Sequence, residues 1–226
     1  MKFKTKLCGI TRSDDLKMAI NMGFSAVGMI HFERSPRHMS VSSMKALKKH
    51  LPDSVQLFLV VVNEPIDSLL KIYYAIEPDV IQLHGEEDAD YINNIRSELD
   101  SVALVKAIRV KNQDLQSDCE TIGDLIDGFL FDTYRKNQPG GTGEVFNWGY
   151  LASLNLSKPY LLSGGLSVNN LDALINEAKA WAQLPVGLDY NSGLEKNPGI
   201  KCVDKVSKLV QEMNRLGVYD KGAILT

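Results

Sequence analysis

Two hydrophobic periods take turns along this chain. Short runs rich in β-branched and large apolar residues, each ending on a polar residue or glycine, occur at FKTKLC (3–8), SAVGMIHF (25–32), VQLFLVVVN (55–63), DVIQLHG (79–85), ALVKAIRV (103–110), GFLFDT (128–133), PYLLSGG (159–165) and PVGLDYNSG (185–193). Between them, segments such as DDLKMAINM, IDSLLKIYYAI, DADYINNI, NNLDALINEA and VDKVSKLVQEM space apolar residues three and four apart, the period of a helix packed by one face. The pattern predicts a strand followed by a helix, eight times over.

Strands alternating with helices imply a parallel sheet, because a right-handed helical crossover returns the chain to the same edge. Eight units in this length fit a single-domain (β/α)8 barrel over residues 1–226. An open doubly wound sheet is the alternative, since periodicity does not show closure; its Gly-x-Gly-x-x-Gly turn is missing after the first run. Residues 216–226 continue past the eighth helix without an assignment.

Composition narrows the classes of function. Of 226 residues, 44% are hydrophobic, enough for one large core, and charges nearly balance at a net −3 without a block of like charges, which argues against a nucleic-acid partner. The start is too short in apolar residues for a signal peptide, and no run approaches the about 18 apolar residues of a membrane span, so a cytoplasmic protein without a membrane partner is expected. Cys8, Cys119 and Cys202 lack the spacing of a disulfide framework or a zinc site, and no metal is expected. Cys119 falls on the fifth helix and Cys202 at the start of the eighth.

In a barrel, the carboxyl ends of the strands form one mouth, where active sites are built. The residues there are Cys8, His31 with Ser35-Pro36-Arg37, Asn63, Gln82 with His84, Arg109, Asp132, Gly164-Gly165, and Asp189 with Asn191-Ser192-Gly193. Glycines after the seventh and eighth strands suit a phosphate held by backbone N–H groups, which lets an acidic protein bind an anion. The connection over residues 133–146, with Gly140, Gly141 and Gly143, exceeds an ordinary βα turn and reads as a lid over Asp132.

The motifs KLCGIT, SPRHMS, VVVNEP, VIQLHGEE, FDTYRKNQPGGTG, LLSGGL and LDYNSGLEKNPGIK span residues 6–201. Their content and order resemble the phosphoribosylanthranilate isomerases of tryptophan biosynthesis. The resemblance implies a cofactor-free Amadori rearrangement of a phosphorylated sugar–anthranilate, with Cys8 as general base and Asp132 as general acid. Asp132 would protonate the ribose ring oxygen, giving an iminium ion at C1'; Cys8 as thiolate would then remove the acidified C2' proton. A free thiol is only a few per cent ionised at neutral pH, so a nearby positive charge or the iminium itself must help. Gly9 is expected to leave room for substrate beside Cys8.

The resemblance further places Arg37 against the anthranilate carboxylate, and Gly143, Gly164, Gly165, Asn191, Ser192 and Gly193 among the binding residues. Asp189 would lie near the anthranilate nitrogen or orient Arg37; Gln82 and His84 would line the mouth, His84 either as a substrate contact or as a structural histidine. Asn191 replaces the family's usual serine at the phosphate turn, and Asn147 replaces the usual aspartate at a helix N-cap, where it serves equally well. A monomer or a homodimer fits equally. Two other functions remain: the related histidine-pathway sugar isomerase, which resembles this chain but has aspartate where Cys8 stands, and a sugar-phosphate binding protein without turnover.

Overall fold

The eight apolar runs become eight parallel strands in a computed structural model that describes residues 1–110, 115–133 and 147–225. They are β1 (Lys4–Cys8), β2 (Ala26–His31), β3 (Gln56–Val61), β4 (Val80–Leu83), β5 (Ala103–Val110), β6 (Gly128–Thr133), β7 (Tyr160–Leu162) and β8 (Gly187–Tyr190). Each pairs with the next, and β1 pairs with β8 through Lys4↔Gly187 to Leu7↔Tyr190, so the sheet closes and the open-sheet alternative is excluded.

Among the described residues the helices are α1 (Ser13–Asn21), α2 (Val41–Lys48), α3 (Ile66–Ile76), α4 (Ala89–Glu98), α5 (Leu115–Ile122), α6 (Leu171–Ala178) and α7 (Val203–Arg215). Their apolar stripes face the barrel: α3 buries Leu69, Ile72 and Ile76, and α7 buries Val206, Leu209 and Met213, each side chain contributing about 1.5–3 kcal/mol of hydrophobic stabilisation. Asp88 caps α4 by accepting from the Tyr91 N–H, and Ser40 caps α2 through the Ser43 N–H. Cys119 is buried on α5, and Cys202 precedes α7 at its N-cap.

The sixth helix departs from expectation. After β6 the described chain has only a 3₁₀ turn, Trp148–Leu151, which Asn147 caps by accepting from the Gly149 N–H at 3.0 Å. Gly149 within this segment and Pro159 at its end disfavour a longer helix, while Trp148 and Leu151 still bury against the barrel. Residues 134–146, and with them Gly143 and most of the expected lid, lie outside the described residues.

One residue parity points into the barrel, and its character changes with depth. Ala26, Phe58, Val80, Val105, Leu130 and Leu161 form an apolar layer, and two to four residues later the same faces present Ile30, Val60, Gln82, His84, Asp132 and Ser163 to a cavity. The unassigned tail completes the apolar end. Phe3 exchanges backbone hydrogen bonds with Val218 and Asp220, Gln56 Oε1 accepts the Ile224 N–H at 2.6 Å, and Ile224 packs into that layer.

Candidate active site

At the carboxyl ends of the strands lies a cavity of about 570 Å³, lined by Cys8, Arg37, Gln82, His84, Asp132, Gly164, Gly165, Asp189, Asn191, Ser192 and Gly193 among others. These are all the expected site residues except Gly143, which is not among the described ones. Two members of the strand-end inventory are absent. Ile30 faces the cavity, so alternation turns His31 to the other side of the sheet, where its Nδ1 meets the Met39 carbonyl; Asn63, beyond the end of β3 at φ +49, donates its N–H to Glu87 and accepts the Glu86 N–H on its Oδ1.

Cys8 ends β1 and is buried, with Gly28 of β2 directly beside it: a Cβ on Gly28 would stand 2.7 Å from Cys8 Sγ. Burial pushes the thiol above its ordinary value; Lys6 and Lys201 pull it down without overcoming that effect. The flanking positive charges are therefore present, yet the resting group is a thiol. The space beside Gly9 is not left for substrate. Gly9 sits at φ +72, and a Cβ there would stand 2.7 Å from both Arg37 Cδ and Asn191 Oδ1, so the chain's own side chains fill it.

Lys6, two residues before Cys8 on the same face, is fully buried in the barrel and was not anticipated. Its Nζ lies 3.0 Å from Asp189 Oδ2 on β8, donates to Gln82 Oε1 on β4 at 3.0 Å, and stands 5.0 Å from the Phe58 ring centroid. Burial lowers its pKa, but Asp189 and Cys8 more than offset this and hold it above its usual value. Burial also raises the Asp189 carboxyl, against the pull of Lys6. Asp189 Oδ2 meets Lys6, and Oδ1 is buried without a hydrogen-bond partner among the described residues, so within them Asp189 serves Lys6 rather than Arg37.

From Gln82 the contacts continue across the mouth. Gln82 Nε2 is 2.8 Å from His84 Nδ1, and His84 Nε2 is 3.3 Å from Asp132 Oδ2 at the end of β6. Gln82 and His84 thus line the cavity with their polar atoms engaged by the protein. Arg109, beside Asp132 in the sheet, donates to Glu86 at the rim.

Arg37 is held by a residue that sequence reasoning missed. Its Nε donates to Glu195 Oε1 at 2.8 Å and its Nη2 to Oε2, a two-pronged pair. Glu195 opens β9 (Glu195–Asn197), which turns back antiparallel through β10 (Ile200–Lys201) and brings Lys201 Nζ to 3.0 Å from Glu195 Oε1 and 2.9 Å from Asn191 Oδ1. Burial raises the Glu195 carboxyl, but the hydrogen bonds and charges of Arg37 and Lys201 outweigh it and hold the group below its ordinary value. Asn191 therefore spends its side chain on Lys201.

The turns after β7 and β8 meet through glycine. Gly164 and Gly165 have φ of +87 and +70, and a Cβ on Gly193 would stand 2.2 Å from the Leu166 carbonyl oxygen. Only glycine lets these two turns lie together at the edge of the cavity.

Residues 5–212 match the family model of N-(5'-phosphoribosyl)anthranilate (PRA) isomerase. The N-(5'-phosphoribosyl)anthranilate isomerase of Thermoanaerobacter sp. (strain X514) is 34% identical over 211 residues, covering 93% of this chain and 97% of that protein. The crystal structure of the phosphoribosyl anthranilate isomerase from Thermotoga maritima superposes with a TM-score of 0.80 at 26% identity, covering 94% of this chain and 99% of that one. A second isomerase structure, in complex with reduced 1-(o-carboxyphenylamino)-1-deoxyribulose 5-phosphate, gives a TM-score of 0.75 at 24% identity, covering 94% and 99%. With its closed barrel, its shared motifs and a match over nearly its whole length, the chain belongs to the N-(5'-phosphoribosyl)anthranilate isomerase family.

Proposed function

We propose that this protein isomerises N-(5'-phosphoribosyl)anthranilate to 1-(2-carboxyphenylamino)-1-deoxyribulose 5-phosphate in tryptophan biosynthesis. The observation that carries the reading is a thiol and a carboxyl, Cys8 and Asp132, facing one cavity from β1 and β6. Asp132 protonates the ribose ring oxygen. The ring opens to an iminium ion at C1', whose charge acidifies the C2' proton and favours loss of the Cys8 thiol proton to solvent. The Cys8 thiolate then takes the C2' proton, and the enolamine tautomerises to the ketone.

The remaining groups orient the substrate. Arg37 has five N–H donors, of which Nε and Nη2 serve Glu195, so the fork is fixed and still has donors for the anthranilate carboxylate. Asp189 Oδ1, a buried acceptor without a hydrogen-bond partner among the described residues, suits the anthranilate N–H. Backbone N–H groups of Gly164, Gly165, Ser192 and Gly193 suit the phosphate, with Gly143 reserved from the family motif.

Loss of anthranilate fluorescence on adding the purified protein to freshly formed substrate tests the activity. Cys8→Ala and Asp132→Asn should each lower kcat by roughly two to four orders of magnitude with KM within several-fold. An inactive wild type that still binds the product would leave a binding protein instead. An Asp132→Asn enzyme keeping more than about a tenth of wild-type kcat would remove Asp132 as the acid.

A further inference from the structure

The hydrogens between Lys6 and Asp132 can be assigned from one end. Lys6 is an ammonium and only donates, so the Gln82 atom 3.0 Å away is the amide oxygen, and Gln82 turns its NH2 toward His84. An NH2 donates, so His84 Nδ1 accepts at 2.8 Å and carries no hydrogen. The ring hydrogen is then on Nε2, which donates to Asp132 Oδ2 at 3.3 Å. With Oδ2 committed as an acceptor, a protonated Asp132 carries its hydrogen on Oδ1.

We propose that Lys6, acting through Gln82, fixes the tautomer of His84, and that these three are positioning residues that confine the acidic proton of Asp132 to Oδ1 and stabilise the carboxylate left after its transfer. The proposal rests on the reading of Asp132 as the acid. An N–H donates more strongly to a carboxylate than to a carboxylic acid, so the His84 bond tightens as the proton leaves and favours the transition state over the bound substrate. Lys6 also lies within electrostatic reach of Cys8. During the isomerisation negative charge passes from the Cys8 thiolate to Asp132, and the Lys6 ammonium faces the first directly and the second through Gln82 and His84. Among the described residues two further carboxylates stand nearby: Asp189, which lies within electrostatic reach of both Asp132 and His84, and Glu86, which engages the neighbouring Arg109.

The test combines nitrogen-15 NMR of the histidine rings, assigned to His84 by loss of its signals in His84→Gln, with steady-state kinetics. In the wild type at neutral pH, Nδ1 should show the unprotonated, pyridine-type shift and Nε2 the protonated, pyrrole-type shift. Gln82→Glu sets a carboxylate against Nδ1 and should protonate it, lowering kcat about 10- to 100-fold with KM within several-fold, the range for a hydrogen bond to a charged group. His84→Gln keeps a donor at the place of Nε2 and should retain kcat within about tenfold, whereas His84→Leu should lose 10- to 100-fold. In an Asp132→Asn background, His84→Leu should cost less than about twofold more, because no proton is transferred from position 132 and no carboxylate forms there for His84 to stabilise. A hydrogen on Nδ1 in the wild type, an unchanged tautomer in Gln82→Glu, or full additivity of the double variant would overturn the proposal. Failure of Asp132 as the acid shows separately, as near-normal kcat in Asp132→Asn alone.

Discussion

Glu195→Gln exposes how much of the site depends on one carboxylate. Glu195 is 6% exposed and accepts from Arg37 Nε and Nη2, from Lys201 Nζ and from the Gly199 N–H. Glutamine keeps the shape but aims an NH2 at a cation, and it leaves two positive side chains, 12% and 0% exposed, without their counter-charge. Breaking a buried pair from one side costs about 3–5 kcal/mol. In a chain of this length each kcal/mol moves Tm by about 2–4 °C, so calorimetry at pH 7 should show a fall of roughly 6–20 °C.

The sign of the pH dependence follows from the same contacts. The folded Glu195 carboxyl is held below its ordinary value, chiefly by Arg37 and Lys201 against the effect of burial, so its stabilisation is fully present above the unfolded value of about 4.3 and is lost as pH falls through the lower folded value. The gap in Tm between wild type and Glu195→Gln should therefore be widest near neutrality and narrow in acid. Adding Lys201→Met removes one uncompensated cation and should recover at least about 1 kcal/mol, a non-additivity expected of direct neighbours. KM should rise more than kcat falls, since Arg37 loses the partner that fixes its fork. A gap under about 2 °C at pH 7, or one unchanged down to acid pH, would refute the reasoning.

Three further outcomes are expected. Gly28→Ala places a Cβ 2.7 Å from Cys8 Sγ and should displace the thiol, lowering kcat at least about tenfold in the fluorescence assay; an unchanged kcat would show that the sulfur has room to move. Because burial holds the Cys8 thiol above its ordinary value, iodoacetamide labelling of Cys8, followed by peptide mass mapping, should be slow at neutral pH and accelerate only above about pH 8.5; rapid labelling already complete by pH 7 would contradict that environment. Ile224→Ala, at the apolar end of the barrel and 4% exposed, should cost about 2–5 kcal/mol in denaturant unfolding while kcat stays within twofold, and an equal loss of kcat would mean that the two ends of the barrel are coupled.

The strands were legible because a parallel sheet buried on both faces writes itself as near-continuous apolar runs, and β5 and β6 match their runs at both ends. Where strand runs were read too long, the excess is informative. His84, residues 163–165 and residues 191–193 continue the runs in sequence beyond the strand ends at Leu83, Leu162 and Tyr190, and they line the cavity. Among the described residues the expected sixth helix gives way for the opposite reason, since local apolar spacing around Trp148 is satisfied by a single 3₁₀ turn.

The missed site residues divide by how far their partners lie along the chain. Lys6 carried a usable signal, because it is two residues before Cys8 on a strand and must share its face; parity alone would have put an ammonium beside the thiol, and the same rule would have removed His31. Glu195 carried only its place in the motif LDYNSGLEKNPGIK, which does not say what its carboxylate meets. Its contact with Arg37 spans 158 residues and exists only because β1 pairs with β8, which sets the turn after β8 against the loop after β2. Depth within the barrel was equally invisible: the same parity that buries Phe58 and Val80 in the apolar layer brings Val60 and Gln82 to the cavity, two residues nearer the mouth. A buried lysine is tolerable at that boundary because Asp189 and Gln82 each take one of its N–H donors and the Asp189 carboxylate supplies a counter-charge. What places the ammonium where the thiol needs it is thus also what keeps the barrel from excluding it, so stability and chemistry cannot be separated at Lys6 by deleting the charge alone.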